Sequence, residues 1–131
     1  MARPQVILAL DSGALIAAEK DQRVEAVIRK WLREGARVLI PAPAIAEAIR
    51  GGPRDAPANR LIKAVNSVAT TSEAIARNAG ARLGRQGSSE TVDALVVATA
   101  EAHFATDILT TEPRDIHSLA EAHVNVIALQ I

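Results

Sequence analysis

The sequence contains no cysteine. Disulfides, thiolate metal sites and a cysteine nucleophile are therefore excluded, and the compartment is left open. Aromatic residues are almost missing, with only Trp31 and Phe104 among 131 residues. A stacking platform for single-stranded nucleic acid needs several exposed rings, which this chain cannot supply. Net charge is zero, from 15 basic and 15 acidic residues, so no global field draws in a polyanion. No apolar run approaches the roughly 20 residues that span a bilayer. The first apolar stretch, Val6 to Leu10, is cut by Asp11, which reads as a strand and not a leader. The expectation is a soluble, cytoplasmic protein.

Apolar residues make up 49% of the chain, enough for one domain over 1–131 with one core. That core must be built from Ala, Val, Leu and Ile. The basic residues are mostly Arg, 12 of 15, a type suited to bidentate phosphate contacts. Binding of nucleic acid would then be local and helped by a partner or a second subunit.

Strand-like and helix-like segments alternate. The strand candidates are 6–10, 37–40, 66–70, 107–110 and 125–129, short apolar runs of the kind buried on both sheet faces. Helical spacing marks 14–18, 21–34, 44–50, 56–65, 72–85, 91–104 and 113–122. In the second of these, Val24, Val27, Ile28, Trp31 and Leu32 form one stripe. Gly35 ends it, Gly51-Gly52-Pro53 breaks the third, and Ser72 caps the fifth. Ser12-Gly13 reads as punctuation after the first strand. The alternation implies an α/β fold, a parallel sheet with helices on both faces.

Four isolated carboxylates stand where such a sheet binds ligands, beyond the carboxyl ends of its strands. Asp11 and Glu112 each follow a strand, Glu47 interrupts an apolar helix, and Asp93 lies in the first turn of another. Unpaired, they cost desolvation energy. Mg²⁺ or Mn²⁺ is the natural partner for such hard oxygen ligands. Asp11, Glu47 and Asp93 are expected to share one cation, and their repulsion without it to raise at least one pKa.

Each acid also has a plainer reading. Asp11 fits a helix cap, Glu47 a solvated helix face, Asp93 a dipole partner and Glu112 a loop or cap residue. Glu90, three residues before Asp93, is either a fifth acid or a dipole partner. Asp107 and Asp115 read as a strand edge and a helix start. His103, His117 and His123 lack metal-ligand spacing and read as surface or capping residues. Arg50 and Arg54 flank a glycine loop and suit either a phosphate group or solvent.

Four segments carry a family resemblance: LALDSGALIA at 8–17, IPAPAIAEAIRGG at 40–52, TVDALVVATA at 91–100 and ILTTEPRDI at 108–116. In this order and spacing the chain resembles PIN-domain ribonucleases, and among them the VapC toxins of toxin–antitoxin pairs. The resemblance implies a five-stranded parallel sheet in the order 3-2-1-4-5 and an acidic Mg²⁺ or Mn²⁺ pocket that cleaves RNA. It places Asp11, Glu47, Asp93 and Glu112 as the catalytic acids, the first three as metal ligands. Glu112 stands where the family more often has Asp. Ser12 and Thr110 match hydroxyl residues beside the first and fourth acids. A homodimer and a VapB-like antitoxin are the implied partners, and the stripes around Trp31 and Leu61-Ile62 are candidate contacts for them, beside plain core packing.

Other classes fit less well. Haloacid-dehalogenase-like enzymes need Asp-x-Asp after the first strand, where this chain has Asp11-Ser12-Gly13. Receiver domains need an acidic pair there and a late Lys, whereas the last Lys is Lys63. No Gly-rich phosphate loop follows the first strand, and no nucleophile elbow is present. The remaining rival is a non-catalytic PIN-like interaction module.

Overall fold

The computed structural model describes residues 5–121 and 124–129. Five strands form one parallel sheet: β1 (Ile7–Leu10), β2 (Arg37–Pro41), β3 (Ser67–Ala69), β4 (Asp107–Thr110) and β5 (Asn125–Ala128). Their order is β3-β2-β1-β4-β5, as the resemblance implied. Between them lie α1 (Ser12–Lys20), α2 (Gln22–Arg33), α3 (Ala42–Ala48), α4 (Ala56–Ala64), α5 (Glu73–Gln86), α6 (Thr91–Ala102) and α7 (Pro113–Leu119), with a 3₁₀ turn at Pro53–Asp55.

The central strands β1, β2 and β4 carry apolar residues on both faces because both faces are covered. Leu8, Leu10, Val38, Ile40 and Leu109 pack with α1, α2 and α4 residues such as Leu15, Ile28 and Leu61. Ala9, Leu39 and Ile108, the intervening positions, pack with Ile75, Val97 and Ile116 from α5, α6 and α7. This period of two is what a pleated strand imposes. Leu61 is fully buried, whereas Trp31 and Ile62 are half-buried against the same core. The Leu61 part of that stripe therefore serves packing. Val27 departs from the expected α2 stripe and is 43% exposed.

Helix ends follow local chemistry. Asp21 caps α2 through a 2.9 Å bond from Arg23 N, and Ser72 caps α5 through Ile75 N. α1 starts at Ser12, not near Ala14, because Asp11 caps it directly. α3 starts at Ala42 and stops at Ala48, earlier than its apolar run suggests, since Pro43 fits the first turn. α7 stops at Leu119. Ala122, its expected end, and His123 lie outside the described residues. No described helix is long and apolar enough to cross a membrane.

β1 is the switch point. Its neighbours are β2 on one side and β4 on the other, so a crevice opens beyond the carboxyl ends of β1 and β4. Asp11 and Glu112 stand there.

Candidate metal centre

A cavity of about 420 Å³ opens at this crevice, and Asp11, Glu47, Glu90, Asp93 and Glu112 all line it. The four acids expected from sequence, with Glu90, thus face one space, although they come from four separate regions of the chain. Lys20 and Arg50 are the cations on its wall.

Asp11 forms the floor. It is 3% exposed, and its backbone N–H continues the β1–β4 ladder by donating to Leu109 O at 3.0 Å. Its Oδ1 accepts from Ser12 N at 2.7 Å and its Oδ2 from Thr110 Oγ1 at 2.7 Å. Asp11 is therefore both a helix cap and a pocket acid. Burial pushes its pKa up, the bonds from Thr110 and Ser12 oppose that, and the charge of Glu47 adds to the rise. The Ser12 hydroxyl lies 2.7 Å from Glu47 Oε1 and 3.3 Å from Asp11 Oδ1. It carries one proton, so the shorter contact takes it. Ser12 thereby ties α3 to α1 and aims the otherwise exposed Glu47 at the cavity.

Asp93 sits half-buried in the first turn of α6. Its carboxyl is pushed up to about 7, first by burial and then by the charges of Asp11, Glu112, Glu90 and Glu47. The expected rise is present, with desolvation ahead of repulsion as its cause. Glu112 is raised as well, first by a hydrogen bond shared with the Asp115 carboxyl, then by burial and by the charges of Asp115, Asp11 and Glu90. Its backbone N–H donates to Thr110 Oγ1 at 2.9 Å. Thr110, fully buried, thus joins Asp11 to the segment that carries Glu112.

Among the described residues, one carboxylate triple brings ligand oxygens within 4.8 Å of one another: Asp93, Glu112 and Asp115. The shared-cation expectation names Asp11, Glu47 and Asp93, and Asp115 is expected only as part of a helix start; the structure has it in the first turn of α7 and beside Glu112 as well. Pro113 opens α7, which places Asp115 in the first turn, three residues after Glu112. The i, i+3 spacing was the available signal. These donors suit a hard divalent cation: all are oxygens, and one carboxyl sits near neutrality in want of a countercharge.

Other candidates fall elsewhere. His103 Nδ1 lies 3.0 Å from Thr99 O at the end of α6, and His117 is exposed on α7. Arg50 Nη1 donates to Ala46 O and Ile49 O, each at 3.0 Å, which folds it over the end of α3. Arg54 is exposed outside the cavity wall. Asp55 was not anticipated. It is buried, and its carboxylate accepts from Arg50 N and Gly51 N, bonds that hold its pKa down and fix the loop after α3.

The PIN domain family model matches residues 8–122. The chain belongs to the PIN domain family. Among curated proteins none matches the sequence. Solved structures share the fold at low identity. VapBC2 from Rickettsia felis, bound to a DNA fragment from its promoter, includes a chain 12% identical with a TM-score of 0.74, covering 95% of this chain and 100% of that one. FitAB bound to IR36 DNA gives 15% identity and a TM-score of 0.64 over 95% and 98%. FitAcB from Neisseria gonorrhoeae gives 18% and 0.61 over 92% and 96%. This PIN fold is thus an α/β domain with its acids at the switch point of the sheet.

Proposed function

We propose that this chain is a divalent-metal-dependent endoribonuclease of the VapC type, acting in the cytoplasm as the toxin of a toxin–antitoxin pair. The observation that carries the reading is Asp93, a half-buried carboxyl pushed to about 7 among four other acids in one cavity. Such an arrangement is costly on its own and favourable around a cation. Asp93 and Glu112, which line the cavity, would hold Mg²⁺ or Mn²⁺ together with the neighbouring Asp115, and Asp11 and Glu47 line the same cavity. A cation bound there would supply the chemistry of water activation and offset charge on the phosphodiester.

The protein's own contribution is placement. Thr110 and Ser12 fix the Asp11 carboxylate from two sides. Ser12 holds Glu47 at the cavity. Lys20 and Arg50 offer the cavity wall two cations for flanking phosphates. Zero net charge leaves a lone subunit a weak binder of RNA, and a homodimer would double the Arg-bearing surface. Family membership supports nuclease chemistry. The paired names of the structural relatives support an antitoxin partner, and an Arg or Lys from that partner placed among the acids would compete with the cation.

Incubation of the purified chain with single-stranded RNA and Mg²⁺ tests the reading. Endonucleolytic cuts that vanish with EDTA are expected. Intact RNA across a range of Mg²⁺ and Mn²⁺ concentrations would favour a non-catalytic interaction module instead.

A further inference from the structure

Gly13 is the second residue of α1, and its backbone is not in the left-handed region. No turn requires glycine there, and inside a helix glycine is unfavourable relative to alanine. The reason is space. A Cβ on Gly13 would collide with Thr111 Oγ1 and lie 3.3 Å from both the Thr111 Cβ and its backbone nitrogen. The glycines inside α5, Gly80 and Gly84, show no such neighbour within 4 Å.

Thr111 stands between Thr110, whose hydroxyl holds Asp11, and Glu112. Gly13 and Thr111 therefore touch where α1, capped by Asp11, meets the segment that carries Glu112 and then Asp115. We propose that this contact is a steric gauge: it sets the separation of α1 from the β4–α7 segment, and with it the width of the acidic cavity and its affinity for a divalent cation. Backbone at Thr111 cannot retreat without moving Glu112. Glu112 precedes Pro113, which restricts its own conformations, so a displacement at Thr111 is passed on instead of absorbed. Gly13 and Thr111 are positioning residues that act through Glu112 and Asp115. The inference rests on the metal-centre reading above.

The test is a two-by-two set: wild type, Gly13→Ala, Thr111→Gly and the double variant. Mn²⁺ affinity is followed by electron paramagnetic resonance, and thermal unfolding is followed in EDTA. Gly13→Ala should weaken Mn²⁺ binding by about tenfold or more, the scale of supporting-residue effects at metal sites. Adding Thr111→Gly should recover most of that loss, while Thr111→Gly alone, which removes the stop without filling its space, should weaken binding by a smaller factor. Unfolding in EDTA should show the same compensation. A folded Gly13→Ala protein that binds Mn²⁺ as tightly as wild type would overturn the gauge, as would a double variant that stays weak. If wild type binds no Mn²⁺, the metal-centre reading fails and takes the affinity claim with it, while the EDTA cycle still decides whether the two residues set the spacing.

Discussion

Asp11 Oδ2 accepts a 2.7 Å hydrogen bond from Thr110 Oγ1, joining the end of β1 to the end of β4 across 99 residues of sequence. Thr110 Oγ1 also accepts the Glu112 N–H. One buried hydroxyl thus orients the floor acid and the chain that delivers the rim acid. Thr110→Val keeps the shape and removes both bonds. It leaves a buried carboxylate short of a donor, so a loss of about 1–3 kcal/mol in urea unfolding is expected. Cleavage should fall as well, because the bond that opposes the burial-driven rise of the Asp11 pKa is gone. Thr110→Ser should do less harm on both measures.

Asp93 makes metal-free stability depend on pH in an unusual direction. Its folded pKa, about 7, lies above its ordinary value of 3.8. Between those values the folded state binds the proton more tightly than the unfolded state, so stability falls as pH rises through that window. Asp11 shifts the same way. Asp55, with a lowered pKa, contributes stability above 3.8 that is lost in acid, so the Asp93 effect is isolated by difference. In EDTA, Asp93→Asn should gain stability relative to wild type as pH rises from 4 to 7. Thermal unfolding across that range checks it, and Mn²⁺ affinity of the wild type should rise over the same interval.

Arg82 is buried in α5. It donates to Asn78 Oδ1, to Leu119 O and to Glu101 Oε2, the last at 2.7 Å, with the paired side chains 6% and 11% exposed. It clamps α5, α6 and the end of α7 together. Arg82→Met leaves Glu101 without its counter-ion and with only the Glu121 N–H as donor, and a loss of about 3–5 kcal/mol is expected in chemical denaturation. The double variant with Glu101→Leu should recover part of it.

Phe104 is the residue after the α6 cap, with φ 60 and 82% of its surface exposed. The bonds Ala105 N to Ala100 O and Phe104 N to Glu101 O close a Schellman turn. Gly35 holds the equivalent place after α2. A bulky residue there is strained, and an exposed ring loses little packing when removed. Phe104→Gly should stabilise the fold by up to about 1 kcal/mol, read as a higher unfolding midpoint.

The sheet was legible because fully covered parallel strands read as short apolar runs between helical periods. The four carboxylates were legible because each interrupts such a run or directly follows one. What escaped was contact through space. Asp115 looked like an ordinary first-turn acid, and its link to Glu112 and Asp93 depends on how α7 is set against α6. Gly13 looked like punctuation, whereas its role comes from Thr111, nearly a hundred positions away. Asp55 and Arg82 resemble surface charges until the loop after α3 and the end of α7 fold over them.

The most direct test of the central claim is sequencing of RNA ends after induced expression of wild type and Asp11→Asn in the same cells. Asp11→Asn removes one charge from the cavity floor and almost no volume. The account predicts new, discrete RNA ends with wild type and none above background with Asp11→Asn, at equal levels of folded protein. The same new ends at the same frequency from Asp11→Asn would contradict it.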